Sequence, residues 1–290
     1  MDERTALTEL ATSLSAAGDD AAAVAGLVVT TDMLHERTDF PEGTTRYTAG
    51  WRAVGASLSD VAAMGATALA AVAVYAAPRF KWTEISAFVD GASNVCEAVG
   101  AEYVGGDLDG HDEFTVATTG LGRADEPVSR AGATPGDVVC VTGTLGRSGA
   151  ALRLFERGEH ERANSLFRFE PRVAAGKRLR DAATAMIDSS DGLARSLHQL
   201  AEASGCGFAI ESPLPIATIV DELAEDERDR RELGLFFGED FELVCTLPQE
   251  AVERAQAALS VDFTPIGRVS KSGVTLDGEP LPDRGFTHGE

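Results

Sequence analysis

Two apolar runs of β-strand character, VAGLVVTTD and ATAMIDSSD, lead straight into carboxylates at Asp32 and Asp188. That pattern constrains the fold, because a charge at the mouth of a core is rarely left without a partner or a metal. Each run belongs to an alternating series. In TTRYTAGWRAVGASLSDVAAMGA, residues Trp51, Val54, Leu58, Val61 and Ala62 recur at three- and four-residue steps and predict a single apolar helix face. Up to about residue 123 the order is LVVTTD as a strand, that helix, ALAAVAVYA as a short strand, EISAFVDGASNVCEAVG as a helix ended by Gly100, then AEYVGGD and EFTVATTGLG as strands. A βαββ unit of ferredoxin-like character with an extra helix–strand repeat is consistent with that order.

The stretch RADEPVSRAGATPGD, rich in Gly, Pro and charge, reads as a linker. Beyond it VVCVTG opens a second series of strands (AMIDSSD, GFAIES, FELVCTL, TPIGRV, VTLDG) and helices (ALRLFERG, RVAAGKRLRDAA, LARSLHQLAEA, EAVERAQAAL). The expectation is an α/β (α+β) chain of two domains, residues 1–125 and 126–290; at 44% apolar content, 290 residues suffice for both cores. No apolar run reaches about 18 residues, and MDERTALTEL carries acids where a signal peptide is basic, so a cytoplasmic protein without membrane spans is expected. A formal net charge of −22 with no basic stripe argues against nucleic acid as a partner. The excess acid is dispersed and only Lys81, Lys177 and Lys271 are lysines, a composition suited to a salt-rich cytoplasm where ions screen self-repulsion. The four cysteines are scattered, which speaks against zinc or disulfides and makes Cys140 and Cys245 buried thiols.

The chemistry lies in acids set among small residues: GDDAAAV (Asp19, Asp20), VVTTDML (Asp32), SLSDVAAMGA (Asp60), YVGGDLDG (Asp107, Asp109) and MIDSSDGLA (Asp188, Asp191). Asp also favours turns and helix N-caps for local reasons, so no single site is decisive. Together they offer hard oxygen ligands beside residues that let a bulky anion approach, which suits Mg²⁺ held jointly with substrate phosphates. The five histidines lie in polar context and form no catalytic pair, as expected of phosphoryl transfer, which rests on positioning and charge neutralisation. The two commonest Gly-rich phosphate loops are absent; VTGTLGRSGAA is either a phosphate site at a helix N-terminus or simply a tight strand-to-helix turn.

In succession, GDDAAAV, TTDML, SLSDVAAMGA, GGD, RAGATPGD…VTGTLG, IDSSDGL and GEDFEL resemble the signatures of the thiamine-monophosphate kinases, in the superfamily of aminoimidazole ribonucleotide synthetase, from Gly18 to about Phe286. The resemblance implies a two-domain aminoimidazole ribonucleotide synthetase-like fold, a homodimer in which N-terminal domains complete a shared barrel, and transfer of phosphate from ATP to thiamine monophosphate with Mg²⁺. Carried over, the metal ligands are Asp20, Thr30, Thr31, Asp32, Asp60, Asp107, Asp188 and Asp191. Nucleotide contacts fall on Gly106, Asp107, Arg130 and Ser190, and substrate contacts on Asp39, Glu239 and Phe286. The plain alternatives are that Thr30 and Thr31 are strand residues, Arg130 a surface charge, Glu239 a helix cap and Phe286 a C-terminal tuck. Three departures stand out: Asp39 replaces the family's His before Phe40, Leu108–His111 follow GGD in place of Thr and Arg, and the segment before Gly18 is short. The rival functions are another ATP-dependent enzyme of the superfamily and a non-catalytic nucleotide- or metal-binding regulator.

Overall fold

The computed structural model of the chain describes residues 9, 10, 13, 14 and 16–285. Strands β1 (Ala22–Val24), β2 (Leu27–His35), β3 (Thr67–Ala77), β4 (Glu102–Gly110) and β5 (Thr115–Arg123) form one sheet in the order β1-β2-β5-β3-β4. Helices α1 (Arg46–Ala63) and α2 (Trp82–Ala98) connect β2 to β3 and β3 to β4. Because α2 carries the chain back along the sheet, β3 and β4 run parallel while the other neighbours are antiparallel. One face of this sheet is packed by the helices. The other is uncovered, with Met33, Leu69 and Val74 exposed at outward positions of β2 and β3, so within one chain the sheet is open.

The second sheet runs β12-β11-β8-β10-β6-β9-β7. Its strands are β6 (Val138–Thr142), β7 (Ala185–Asp188), β8 (Gly207–Ile210), β9 (Leu243–Leu247), β10 (Phe263–Ser270), β11 (Val274–Leu276) and β12 (Glu279–Pro280). Around it lie α3 (Arg147–Glu156), α4 (His160–Phe167), α5 (Val173–Leu179), α6 (Leu193–Ser204) and the helices Thr218–Leu223, Glu227–Arg231 and Val252–Ala258, with a π-helical turn at Glu232–Phe236. Strands β6, β7 and β9 are buried on both faces. Val139, Val141, Ile187 and Val244 pack toward α6, whereas Val138, Cys140, Met186 and Cys245 share a core with α1. Cys140 and Cys245 are neighbours on paired strands and are buried thiols, as the sequence suggested.

Two expectations are corrected. The segment 123–137 is no free spacer: Ala124, Val128 and Ala133 are buried, and Val128 N–H bonds the carbonyl of Met64. Nor does α1 have a single apolar face. It lies between the two sheets and is buried almost all round, which is why Gly50, Ala53, Gly55, Ala56, Ser57 and Ser59 are small. Thr45 caps its start by accepting from Thr48 N–H at 3.1 Å, and Gly65, at φ +64°, turns the chain out. No helix among the described residues is long and apolar enough to cross a membrane.

Candidate metal and nucleotide site

Where α1, β2 and the end of β7 meet, carboxylate oxygens of Asp20, Asp60 and Asp188 all lie within 4.8 Å of one another. Asp20 precedes β1, Asp60 lies in the last turn of α1, and Asp188 ends β7. Asp60 and Asp188 are each held by a small donor, and Asp20 by an arginine. Thr30 Oγ1 donates to Asp60 at 2.6 Å and Ser59 Oγ to Asp188 at 2.6 Å, while Ser57 Oγ donates to the adjacent Asp32. Arg130 grips Asp20 through Nη2 at 2.9 Å and Nε at 3.2 Å, and its backbone N–H reaches Asp19 at 2.9 Å. Arg130 is therefore not a stray surface charge, and Thr30 is more than a strand residue.

The electrostatics show how much negative charge is concentrated here. Burial, then the charges of Asp32, Asp188 and Asp20, push Asp60 well above the usual carboxylate range, against the Thr30 hydrogen bond. Burial and then the charge of Asp20 push Asp188 up to about 7, opposed by Ser59 and Ser190. Asp32 is raised by burial against its bond from Ser57. Burial alone would lower Arg130; the charge and hydrogen bonds of Asp20, then Asp19 and Asp188, raise it instead. Like charges this close repel strongly in a low dielectric, and one arginine does not balance them. The donors are carboxylates and a hydroxyl, all hard oxygens, with no His or Cys; that set fits Mg²⁺ rather than a soft-ligand metal.

Other residues singled out in the sequence stand apart. Thr31 points away from the cluster to the open face, its hydroxyl bonding Thr118 carbonyl at 2.8 Å. Asp107 is exposed on edge strand β4 and bonds only its neighbour's N–H among its described contacts. Asp32, Thr118, Ala73 and Gly106 are in register across β2, β5, β3 and β4, which separates Gly106 from Asp32 by three strand spacings, roughly 14 Å. At Gly106, φ +156°, an added Cβ would sit 1.7 Å from Ala73 carbonyl, so only glycine fits. Asp191 lies on the turn after β7, with Gln199 Nε2 at 3.5 Å. Asp39 is buried at the end of the short helical turn Glu36–Asp39 and bonded back onto it, accepting from His35 N–H and Thr38 Oγ1. Phe286 lies outside the described residues.

In the GEDFEL segment, each residue from Glu239 to Glu242 is latched. Arg52 Nη2 donates to Glu239 at 2.9 Å, so Glu239 is not a helix cap. Asp240 is the cap: it accepts from the N–H groups of Gly146 and Ser148 at the start of α3. That resolves VTGTLGRSGAA as a tight turn, since a carboxylate of the chain itself occupies the place open to a phosphate. Phe241 stacks on Phe169 at 4.1 Å, and Arg172 forks onto Glu242 at 2.6 and 2.7 Å. Ser190 carbonyl, two residues past Asp188, accepts from Glu239 N–H at 2.6 Å and joins this loop to the acid cluster. Ser57, Ser59 and Arg52 were missed in the sequence. The one available signal was polar side chains inside SLSD and GWRAV, on a helix now known to be buried.

The fold and the junction site define the class: residues 18–124 match the N-terminal domain, and residues 134–277 the C-terminal domain, of AIR synthase related proteins. Over 291 aligned residues the chain is 62% identical to a thiamine-monophosphate kinase of Halobacterium salinarum, covering 99% of this chain and 100% of that one. Among solved structures, the thiamine-monophosphate kinase of Stenotrophomonas maltophilia superposes with a TM-score of 0.81 at 33% identity, covering 91% of this chain and 90% of that one. A structure described as AaThiL complexed with AMPPCP and TMP gives 0.88 at 29% identity, covering 99% and 97%. The chain belongs to the thiamine-monophosphate kinase family.

Proposed function

We propose that this protein transfers the γ-phosphoryl group of ATP directly to thiamine monophosphate, yielding thiamine diphosphate and ADP, in the cytoplasm and with Mg²⁺. The observation that carries the reading is the convergence of Asp20, Asp60 and Asp188 within 4.8 Å at the junction of the two sheets. Family membership and a relative held with AMPPCP and TMP support the substrates. Asp20, Asp32, Asp60 and Asp188, with the Thr30 hydroxyl, would hold Mg²⁺, and Asp107 and Asp191 would be further ligands; the Thr31 side chain, turned to the open face of the sheet, is not among them. When bound, Mg²⁺ neutralises phosphate charge so that two anionic groups can approach. The protein's own part is to hold those acids rigidly through Ser57, Ser59 and Arg130. In this reading nucleotide contacts fall to Arg130, Ser190 and Gly106–Asp107 and acceptor contacts to Glu239, with Phe286 assigned to the acceptor by the resemblance alone. No general base is assigned, because a phosphate acceptor is already ionised near neutral pH.

The uncovered face of the first sheet supports a homodimer. Two such faces packed together would bury Met33, Leu69 and Val74 and complete the barrel, carrying the Gly105–Asp107 edge of one chain toward its partner. In this reading residues 1–125 form the ATP-binding, metal-binding and dimerisation domain, and 126–290 the second α/β domain. Chromatographic detection of thiamine diphosphate after incubation with thiamine monophosphate and MgATP tests the activity. ATP consumption without that product would point to another superfamily reaction, and nucleotide binding without consumption to a regulator.

A further inference from the structure

Arg52 is 3% exposed on α1, yet its guanidinium reaches from the first sheet's helix layer into the second domain. Nη2 donates to Glu239 Oε2 at 2.9 Å, and Nη1 donates to the Phe167 carbonyl and to Ser148 Oγ at 3.3 Å. The Phe167 ring lies 3.5 Å from the guanidinium carbon, with Phe169 and Phe241 at 5.3 and 5.6 Å. Burial lowers the pKa of Arg52, and the charges of Glu239 and Asp240 oppose that shift. Arginine does not give up its proton in a protein, so the buried charge depends on its carboxylate partner.

Glu239 is itself constrained. It sits at φ +58° and Phe241 at φ +54°, conformations that side-chain-bearing residues adopt only when the surroundings hold them. Its N–H bonds Ser190 carbonyl and its own carbonyl accepts from Ser148 Oγ, both at 2.6 Å. These contacts fix the backbone, and Arg52 fixes the carboxylate end. An ion pair serving stability alone gains little over apolar packing in such a cage of rings. Here a buried cation instead holds a partly exposed carboxylate, 29% accessible, on a residue whose backbone is bonded to Ser190, two residues past Asp188.

We infer that Arg52 is a positioning residue for the acceptor substrate, acting by orienting Glu239; this rests on the assignment of Glu239 to the acceptor in the proposed function. Steady-state kinetics of Arg52→Met, Arg52→Lys, Glu239→Gln and the double variant R52M/E239Q, with thiamine monophosphate and MgATP varied separately, test it. Arg52→Met is expected to raise KM for thiamine monophosphate about tenfold or more, the scale of a lost hydrogen bond to a charged group, while KM for MgATP stays within about twofold. Arg52→Lys should restore part of the loss, because it keeps the charge without the fork. R52M/E239Q should be no worse than Glu239→Gln alone, as expected when one residue acts through the other.

A normal acceptor KM in Arg52→Met beside an impaired Glu239→Gln overturns the positioning role and leaves Glu239 in place. A normal acceptor KM in Glu239→Gln removes the acceptor assignment and this inference with it. Additive losses in the double variant also contradict it. If Arg52→Met does not fold, Arg52→Gln takes its place with the same readings, and thermal midpoints separate loss of fold from loss of acceptor binding.

Discussion

Asp240 shows how a single side chain ties structure to pH. Burial pushes its carboxyl up to about 7, with the hydrogen bonds from Gly146 and Ser148 pulling back, Glu242 adding to the rise and Arg52 opposing it. The folded state therefore holds this proton more tightly than the unfolded chain, whose carboxyl titrates near 3.8. Its contribution to stability is complete below the unfolded value and is lost as pH rises through about 7. The upper bound is on the order of 4 kcal/mol. Unfolding of wild type and Asp240→Asn in urea from pH 5 to 8 should show the wild-type advantage shrinking with rising pH; an advantage that grows instead would contradict the burial argument. At this scale the acids that cluster at the junction were legible because each sits among Gly, Ser or Thr beside an apolar run. Ser59 and Arg52 were not, since nothing in a helical pattern marks which polar residue turns into a protein interior.

Among the elements, α1 carries the most constraint. Its backbone touches that of α2: a Cβ at Gly50 would lie 2.1 Å from Phe88 carbonyl, and one at Gly91 would lie 2.0 Å from Tyr47 carbonyl. Alanine is favoured over glycine in a helix by about 1 kcal/mol, yet no carbonyl can accept a carbon at that distance, so the clash decides the sign. Gly91→Ala should thus destabilise by roughly 1–3 kcal/mol as the helices are forced apart. Chemical denaturation measures it, and an unchanged or higher midpoint would contradict this packing. The strands and longer helices were readable from periodicity. That α1 is enclosed on nearly all sides was not, because its partners on β7 and α5 lie more than a hundred residues away in sequence. The same distance hid the true role of the segment 123–137, whose Arg130 became meaningful only once Asp20 stood beside it.

For the whole molecule, the open sheet face and the net charge of −22 make separate predictions. Val74→Glu should convert a dimer to a monomer in light scattering and depress activity, since it places a charge at an exposed apolar position of β3; a variant that stays dimeric and active would place the interface elsewhere. Thermal midpoints should climb from low to multimolar KCl as screening shortens the range of self-repulsion, and a flat or falling trend would remove the argument from charge. Two α/β halves were legible from the alternation of elements. The ~14 Å that separates Gly106 from Asp32 within one chain was not, because strand order is set by long-range pairing that local pattern does not encode. The central claim is that the acids meeting at the domain junction drive transfer to thiamine monophosphate. Its most direct test is the rate of thiamine diphosphate formation at saturating MgATP for wild type and Asp60→Asn, both confirmed folded. The account predicts a loss of at least about a hundredfold in Asp60→Asn, the scale for removing an electrostatic stabiliser of the transition state; a variant turning over at the wild-type rate would contradict it.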